Sequence, residues 1–207
     1  MLAPIDGLEF REDIHRYRYQ GQWMAHSVTA VVGGELDATA RERIEATRHV
    51  WAPRGIAVHA ALEAHLLGQP VEAGEYADWV EPMLDSWLFR DCEVVAVEYR
   101  LVDATCSLAG SFDFLLRTAS GNLVLGDLKT VGSPSAVNAR KPATAQLGGY
   151  NFMLAQHYPT LVIDKCVTVV SGPGAVEVKV SDPQECVNAW LDAWDRYQAA
   201  WELRYGF

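Results

Sequence analysis

The sequence predicts an α/β fold: a central mixed β-sheet, made of an antiparallel meander plus further strands, flanked by α-helices. Three successive segments between residues 92 and 130 are short, apolar and rich in β-branched residues, with turn residues between them. Segments with helical spacing of apolar residues precede and follow them. A chain of 207 residues, 50% of them hydrophobic and 21% charged, is long enough to bury such a core in one domain.

Residues 1–90 are predicted to form a hairpin and helices that flank the core. The segment HRYRYQGQWMAHSVT alternates polar and large residues around Gly21, which indicates a hairpin followed by a turn capped by serine or threonine. The composition of residues 37–67 predicts two helices, separated near Ala52–Gly55 because Pro53 disfavours a helix interior. Residues 76–87 predict another helix. Its large side chains are expected in the core: Trp79, Met83 and Trp87.

Residues 91–172 are predicted to form the catalytic core, and residues 173–207 a final strand and helix. The predicted order is strands at 92–101, 107–118 and 121–130, a loop at 131–141, a helix at 142–156, strands at 165–171 and 175–180, and a helix at 183–204. Alternation in AVEVKV indicates an edge strand. The last helix is amphipathic. Its aromatic side chains share one face and are expected to pack in the core or at a subunit interface: Trp190, Trp194, Tyr197 and Trp201.

The strand after Gly121 ends in a pattern that a purely structural strand does not need. Side chains alternate with a period of two, so that Leu123, Leu125, Asp127 and Lys129 lie on one face. The opposite face is apolar. Asp127 and Lys129 therefore point the same way from a strand that is expected to be covered on both sides.

A second acid, Asp113, interrupts the preceding apolar strand. A three-residue loop with a positive φ at Gly121 would place Asp113 directly opposite Asp127, and a register shift of one residue would separate them. Facing residues on antiparallel strands have Cβ atoms about 4.5–5.5 Å apart, where like charges repel unless something compensates them. A divalent cation would do so. Oxygen ligands favour Mg²⁺ or Mn²⁺, and the Leu128 carbonyl is a further oxygen nearby.

A cation held by two carboxylates beside a lysine suits phosphodiester hydrolysis. The cation polarises the phosphate and lowers the pKa of bound water, while Lys129 orients that water or stabilises the developing negative charge. Alone, D-x-K is a weak signal because it arises by chance. Its position gives it weight, since an apolar run leads into Asp127, the strand ends after Lys129, and Asp113 lies one hairpin upstream.

Four ordered motifs resemble the RecB-like branch of the PD-(D/E)XK nuclease superfamily. GSFDFLL, GNLVLGDLKT and QLGGY resemble its G-x-x-D, D-x-K and Q-x-x-x-Y series, and GIAVHAALEAHLLG resembles the helix that carries its metal-binding histidine. Phage and prophage exonucleases related to this branch are similar too, including at the early segment HRYRYQGQWMAHSVTAVV. The resemblance covers about residues 10–157, and four motifs in order are far more specific than any one of them.

The resemblance implies a restriction-endonuclease-like core and a defined set of site residues. It implies that His59, Asp113, Asp127 and the Leu128 carbonyl hold Mg²⁺ or Mn²⁺, and that Asp113, Asp127 and Lys129 are catalytic. Many relatives carry Glu where this chain has Asp127, although this branch accepts Asp. Relatives associated with CRISPR systems or fused to helicases often hold an iron–sulfur cluster. This chain lacks the cysteine spacing for one, so we expect no cluster and a simpler, stand-alone nuclease.

Two further pairs are candidates for contacts with the substrate, and each has a structural alternative. Gln146 and Tyr150 lie one helical turn apart, so they would jointly face the site or the DNA, or else tie their helix to the sheet by hydrogen bonds. Arg140 and Lys141, on the loop before that helix, would contact phosphates, or else remain solvated as loop charges routinely do.

Two glutamates could support the predicted metal site. Glu98, in the first strand of the meander, would provide a further acid near the metal, or else pair with Arg100 or a neighbouring strand. Glu63 lies one helical turn from His59. It would orient that histidine as a hydrogen-bond partner, or else be a solvated helix charge.

Charge and cysteine content exclude several classes of protein. A formal net charge of −10 argues against a protein that coats nucleic acid electrostatically, so contact with DNA is expected to be local and assisted by the cation. The four cysteines, which form no C-x-x-C pair, indicate reduced intracellular thiols: Cys92, Cys106, Cys166 and Cys186. No apolar run approaches the about 20 residues of a membrane span, and the first residues lack the order of a signal peptide. We expect no membrane contact and a cytoplasmic location in a bacterial or phage-infected cell.

The sequence therefore predicts a metal-dependent DNA exonuclease that acts in recombination, repair or phage DNA metabolism. Three alternatives stay open: a structure-specific or nicking endonuclease on the same core, a catalytically silent DNA-binding or scaffold protein, and another α/β domain in which the motifs are accidental. DNA is the expected partner. A homo-oligomer such as a ring, and a recombination or single-strand-binding partner protein, are left open.

Overall fold

The computed structural model describes residues 1–34 and 37–205. In chain order its elements are β1 (Leu8–Arg11), β2 (Arg16–Tyr19), β3 (Gln22–Trp23), β4 (His26–Ser27), α1 (Val28–Gly33), α2 (Ala38–Ala46), α3 (Arg48–Leu66), α4 (Ala77–Leu84), β5 (Glu93–Asp103), β6 (Leu108–Arg117), β7 (Leu123–Thr130), α5 (Pro134–Ala139), α6 (Thr144–His157), β8 (Lys165–Gly172), β9 (Ala175–Ser181) and α7 (Pro183–Tyr205). Single 3₁₀ turns flank α4, at Gly74–Tyr76 and Trp87–Phe89.

The larger of two sheets is mixed, as predicted. Strands β5, β6 and β7 form the antiparallel meander, β7 and β8 are parallel, and β9 pairs antiparallel with β8 at the edge. Strand β4 adds a short parallel pairing to β6. The smaller sheet is the predicted N-terminal hairpin, β2–β3, extended by β1.

Helices cover both faces of the large sheet. On one face, α1, α6 and α7 pack against the sheet in a cluster that includes Leu125, Tyr150 and Trp190. On the other face, α3 and α4 pack against Leu128 and its neighbours. Strand β7 is therefore buried on both sides, which explains why its sequence is almost continuously apolar up to Asp127. The polar residues at its end are exceptions inside a covered sheet.

The β6–β7 hairpin has the predicted register. Gly121 has a φ of 88°, and the Thr118 N–H donates to the Asn122 carbonyl at 2.9 Å. The ladder continues to the pair Phe114 and Gly126, one residue before the two acids. Gly126 is required there, because a Cβ at this position would lie 1.9 Å from the Phe114 ring. The three-residue loop thus brings the ends of β6 and β7 together as expected.

The predicted helix break near Ala52–Gly55 is wrong. Helix α2 ends at Ala46, and the hydroxyl of its C-cap residue Thr47 donates to the carbonyls of Arg43 and Ile44. The Trp51 indole N–H also donates to the Ile44 carbonyl, at 2.8 Å. These bonds satisfy the last carbonyls of α2, and α3 then runs through Pro53 without interruption. Proline removes one helical hydrogen bond, which tertiary packing of the buried face of α3 compensates.

Two other local predictions are corrected. The predicted helix over 76–87 ends at Leu84, because the Ser86 hydroxyl accepts from the Leu88 N–H and starts a separate 3₁₀ turn. Trp87 is consequently 61% exposed instead of lying in the core, whereas Met83 is fully buried. The predicted loop at 131–141 contains α5, which Ser133 caps by accepting from the Ala136 N–H.

The glycine pair in α6 lets α7 approach closely. A Cβ at Gly148 would lie 1.9 Å from the Cys186 carbonyl oxygen, and one at Gly149 would lie 2.8 Å from the Trp190 ring. The predicted aromatic face of α7 is present, with ring centroids 5.8 Å apart between Trp190 and Trp194. Only the N-terminal part of this face is fully buried, and Trp201 is 40% exposed.

Membrane insertion finds no support among the described helices. None of those between residues 1–34 or 37–205 combines the length and the apolar character that a transmembrane span requires.

Candidate active site

The two predicted acids lie side by side at the centre of the large sheet. The paired ladder of β6 and β7 ends at Phe114 and Gly126, next to Asp113 and Asp127, and the Leu128 N–H donates to Asp113 Oδ2 at 2.5 Å. Asp127 is only 1% exposed. The Leu128 side chain is buried in the core, so that only its backbone can take part in a site.

His59 reaches this pair from α3, on the opposite layer. Its Nε2 lies 3.3 Å from Asp113 Oδ2. Its Nδ1 donates to the Gly55 carbonyl at 2.8 Å, one helical turn back. This bond fixes the ring and directs Nε2 toward the acids, which is the arrangement of a metal-ligating histidine. Gly55, and not Glu63, is therefore the group that orients His59.

Lys129, Asp127 and two residues of α6 form a continuous polar network. Lys129 Nζ lies 2.7 Å from Asp127 Oδ2 and donates to Gln146 Oε1 at 2.9 Å. Gln146 Nε2 donates to Asp127 Oδ1 at 2.7 Å and to the Tyr150 hydroxyl at 3.0 Å. Both Gln146 and Tyr150 are buried. The hydrogen bonds of Gln146 therefore tie α6 to β7 at Asp127 and Lys129, and Tyr150 bonds Gln146 from the same helix.

The carboxylates of this site have opposite pKa shifts. Burial raises the pKa of Asp127 and, with a smaller contribution from the Asp113 charge, outweighs the lowering by Lys129. Burial alone would also raise the pKa of Asp113, but His59, Lys129 and the Leu128 N–H together hold it below its ordinary value. Burial works against the charged form of His59, yet the Asp113 carboxylate outweighs it and raises the pKa of His59 to about 9. His59 and Lys129 thus compensate two negative charges, one on the buried Asp127 and one on the partly buried Asp113.

Glu98 extends the row of acids by one strand. In the β5–β6 register, the pairs Val97–Phe114 and Tyr99–Phe112 flank it, so Glu98 stands across from Asp113. Its φ of 45° lies in the left-handed region, a strained conformation for glutamate that the surrounding strand pairs enforce. Burial and the Asp113 charge raise the pKa of Glu98 to about 7. The alternative partner Arg100 instead stacks over the Phe10 ring, 5.8 Å from its centroid.

The other predicted substrate contacts lie outside this cluster. Arg140 and Lys141 are exposed, at the end of α5 and in the loop before α6. Within the described parts of the chain, neither side chain is hydrogen bonded or ion paired to the acids. They stay candidates for contacts with a bound strand.

Sequence reasoning missed Arg54. It lies on the buried stripe of α3 with Val58, Ala61 and Leu62, and its Nε donates to the Thr130 hydroxyl at 3.3 Å. Thr130 directly follows Lys129, so this guanidinium lies beside the end of β7. The helical spacing of residues 54, 58 and 62 is a signal that could have found it. The break wrongly predicted across Ala52–Gly55 concealed that spacing.

The donor set fits a hard divalent cation. Asp127 Oδ2 is buried and accepts no hydrogen bond within the described residues; its contact is the ion pair with Lys129 Nζ at 2.7 Å, so lone pairs remain available. Two carboxylates, an imidazole nitrogen and a backbone carbonyl are appropriate ligands for Mg²⁺ or Mn²⁺. In residues 1–34 and 37–205, however, no three His, Cys, Asp or Glu side chains converge on one point. The carboxylates of Asp113 and Asp127 instead pair with His59 and Lys129, whose positive charges compensate them as a bound cation would.

Comparison with known proteins places the chain in a family. None of the curated proteins compared with the chain matches it. Among solved structures, one described as the crystal structure of SSO0001 is similar, with 16% identity and a TM-score of 0.35 over 81% of this chain and 73% of that chain. A TM-score of this size does not establish a shared fold. The model of the PD-(D/E)XK nuclease superfamily matches residues 15–200, which include every side chain of the cluster. The chain therefore belongs to the PD-(D/E)XK nuclease superfamily.

Proposed function

We propose that the chain is a metal-dependent DNA exonuclease that hydrolyses phosphodiester bonds with an activated water. The observation that carries this proposal is the pair of adjacent carboxylates at the end of β7, compensated by His59 and Lys129: Asp127 is 1% exposed, and the Asp113 side chain is 13% exposed. Burying charges costs several kcal/mol per ion. A protein that only needed a stable sheet would be served as well by apolar residues at these positions.

The residues proposed to hold the cation are His59 through Nε2, Asp113, Asp127 and the Leu128 carbonyl. Nucleases of this superfamily generally use Mg²⁺ or Mn²⁺. A divalent cation supplies the charge that polarises the phosphate and activates the attacking water. Glu98, across from Asp113, adds negative charge that strengthens the attraction for the cation.

Lys129 is proposed to stabilise the negative charge that develops on the phosphate, or to orient the water. Its ammonium is held between Asp127 Oδ2 and Gln146 Oε1. Gln146 also bonds Asp127 and Tyr150, so Gln146 and Tyr150 act as positioning residues. A preorganised donor of this kind does not have to reorient while the reaction proceeds. Arg140 and Lys141 are proposed to contact backbone phosphates from the neighbouring surface.

The exonuclease mode rests on the resemblance to phage and prophage exonucleases of the RecB-like branch. That resemblance favours a role in recombination, repair or phage DNA metabolism, acting at DNA ends. The four free cysteines fit a reducing compartment such as the cytoplasm: Cys92, Cys106, Cys166 and Cys186.

Digestion of three DNA substrates tests the proposal. End-labelled linear duplex, linear single strands and closed circles are incubated with Mg²⁺, Mn²⁺ or EDTA, using wild type, Lys129→Ala and Lys165→Ala. Lys165 is an exposed lysine at the start of β8 and serves as a matched control. We expect loss of linear DNA only, dependent on the cation, abolished by Lys129→Ala and unaffected by Lys165→Ala.

The other outcomes select among the alternatives. Cutting of closed circles would replace the exonuclease by an endonuclease on the same core, because an exonuclease needs an end. Full cleavage by an Asp127→Ala, Lys129→Ala double variant would overturn the assignment of the site. Failure of folded wild type to cut any substrate would favour a silent DNA-binding or scaffold protein.

A further inference from the structure

Arg54 is a buried guanidinium that the catalytic cluster does not use. It is 8% exposed and lies near the start of α3. Burial of the side chain lowers the pKa of Arg54 from its ordinary value. A buried charge requires compensation.

The protein supplies little of that compensation. No carboxylate in the described residues forms an ion pair with Arg54. Its single hydrogen bond runs from Nε to Thr130 Oγ1. Within the same residues, Nη1 and Nη2 have no protein acceptor, yet neither is sealed from solvent. The two Nη groups of Arg54 therefore face solvent, while the rest of the side chain is buried.

The surroundings hold this guanidinium in place. It lies over the Trp79 ring, 5.7 Å from its centroid. Trp79 is itself fixed, because its indole N–H donates to the Val131 carbonyl and its own carbonyl accepts from the Ser171 hydroxyl, both at 2.8 Å. A Cβ at Gly132 would lie 3.7 Å from Nη1, so the chain leaving β7 passes close to the fork. An immobilised arginine loses little entropy when it binds an oxyanion.

Arg54 and Lys129 flank the same strand end. Successive side chains of β7 alternate between faces, so Lys129 lies toward α6 and Thr130 toward α3, where Arg54 meets it. Arg54 precedes His59 by five residues of α3, an axial distance of about 7.5 Å. At about 3.4 Å of rise per nucleotide, this corresponds to about two nucleotides of a strand.

We propose that Arg54 binds a backbone phosphate of the DNA strand, one or two nucleotides from the phosphate at Asp113 and Asp127. Nη1 and Nη2 donate to the two non-bridging oxygens, and Trp79 and Thr130 hold the guanidinium in register. The subsite rests on the proposed function in one respect, which is that the ligand is DNA. The competing explanation is that Arg54 only packs α3 against α4.

Salt dependence of DNA binding separates the two explanations. Binding of labelled linear duplex is measured in Ca²⁺, with a check that the label stays intact, over a series of salt concentrations. For Arg54→Gln we expect affinity about tenfold weaker at low salt and a slope of log K against log salt smaller by about 0.9, the contribution of one phosphate contact. Arg48→Gln removes the same charge from the same helix, where the side chain is exposed and pairs with Glu45. It is the control and keeps the wild-type slope.

A conservative variant keeps the test decisive if Arg54→Gln folds poorly. Arg54→Lys retains the charge but loses the fork, so we expect a wild-type slope with weaker affinity. A slope unchanged in folded Arg54→Gln, or equal losses in Arg54→Gln and Arg48→Gln, would overturn the subsite.

Failure of the subsite and failure of the nuclease assignment give different results. Wild type that cleaves DNA, with an unchanged slope in Arg54→Gln, removes the subsite and leaves the nuclease. If the wild type never cleaves DNA but its salt slope depends on Arg54, the phosphate subsite at Arg54 is supported and the nuclease assignment is rejected.

Discussion

At the scale of single residues, Gln146 is the side chain with the most partners in the site. Its amide oxygen accepts from Lys129, and its amide nitrogen donates to Asp127 and Tyr150. Because one planar amide serves all three, its orientation sets the relative positions of the acid and the lysine. Within the described residues, no other side chain of the cluster is hydrogen bonded to both Asp127 and Lys129.

We expect Gln146→Ala to lower kcat by about 10–100-fold, the range typical of groups that orient the ligands of a metal site. Lys129 and Asp127 would remain, so KM should change less than kcat. Gln156→Ala, on the same helix, removes a bond to Asp103 outside the site and is the matched control. Steady-state kinetics on linear DNA provide the measurement, and equal effects of both substitutions would contradict a positioning role.

The raised pKa of Glu98 predicts that the free energy of unfolding of the cation-free protein depends on pH. Its folded pKa of about 7 is raised from 4.5, because burial and Asp113 disfavour its ionisation. The folded state therefore loses stability through this group as pH rises from about 4.5 to about 7, and the loss persists above that range. His59, with a pKa raised to about 9, adds a further loss at higher pH in both proteins compared below.

Glu98→Gln should remove the first of these losses. After a discount for partial solvent exposure, we expect a gain of about 1 kcal/mol, or about 2–4 °C in Tm, at pH 8 in EDTA and a smaller gain at pH 4.5. Thermal melts of both proteins across this range measure the difference. A gain that shrinks as pH rises would contradict the assignment.

At the scale of elements, the contact between α6 and α7 depends on the absence of a side chain. The Cβ of an alanine at position 148 would meet a backbone oxygen, which cannot rotate away as a flexible side chain can. We expect Gly148→Ala to cost about 2 kcal/mol, or about 4–8 °C in Tm. Gly33→Ala is the control, since nothing lies within 4 Å of its Cβ position. Comparable melting points for both variants would show that the helices separate easily.

The strands and helices also differ in how well the sequence alone predicts them. The meander β5–β7 and the β6–β7 register up to Phe114 and Gly126, next to Asp113 and Asp127, were predictable, because period-two alternation and a tight loop at Gly121 are local properties. The path of α3 through Pro53 was not. It depends on bonds from Thr47 and Trp51 that no propensity encodes.

Tertiary structure likewise determines the parts of the site that the sequence left open. Glu63 and Gly55 are both one turn from His59, and only the folded ring orientation shows that Gly55 is the partner. Glu98 lies in a strand with plain alternation, yet its left-handed φ appears only where β5 meets β6. Arg54 was not predicted for a different reason. The expected helix break separated it from Val58 and Leu62, with which it shares the buried face of α3.

At the scale of the whole molecule, a formal net charge of −10 sets how DNA can be held. Long-range forces repel a polyanion, so attachment must come from a few local positive groups and, in the proposed function, from the cation. We expect the affinity for linear duplex to be at least about tenfold weaker in EDTA than in Ca²⁺ at equal ionic strength. Fluorescence anisotropy at matched ionic strength measures this difference, and equal affinities would mean that the side chains alone hold the strand.

The pairing of β4 with β6 has a consequence for how the chain folds. The Ala25 N–H donates to the Ser107 hydroxyl, 82 positions later, and the Tyr17 hydroxyl bonds Ser111 across 94. Contacts between such distant segments form slowly, because the intervening loop must close first, whereas the β5–β7 meander joins neighbours. We expect pulsed hydrogen exchange to show the meander protected early and the N-terminal hairpin late. During synthesis the N-terminal hairpin would then be made before the meander and dock after it.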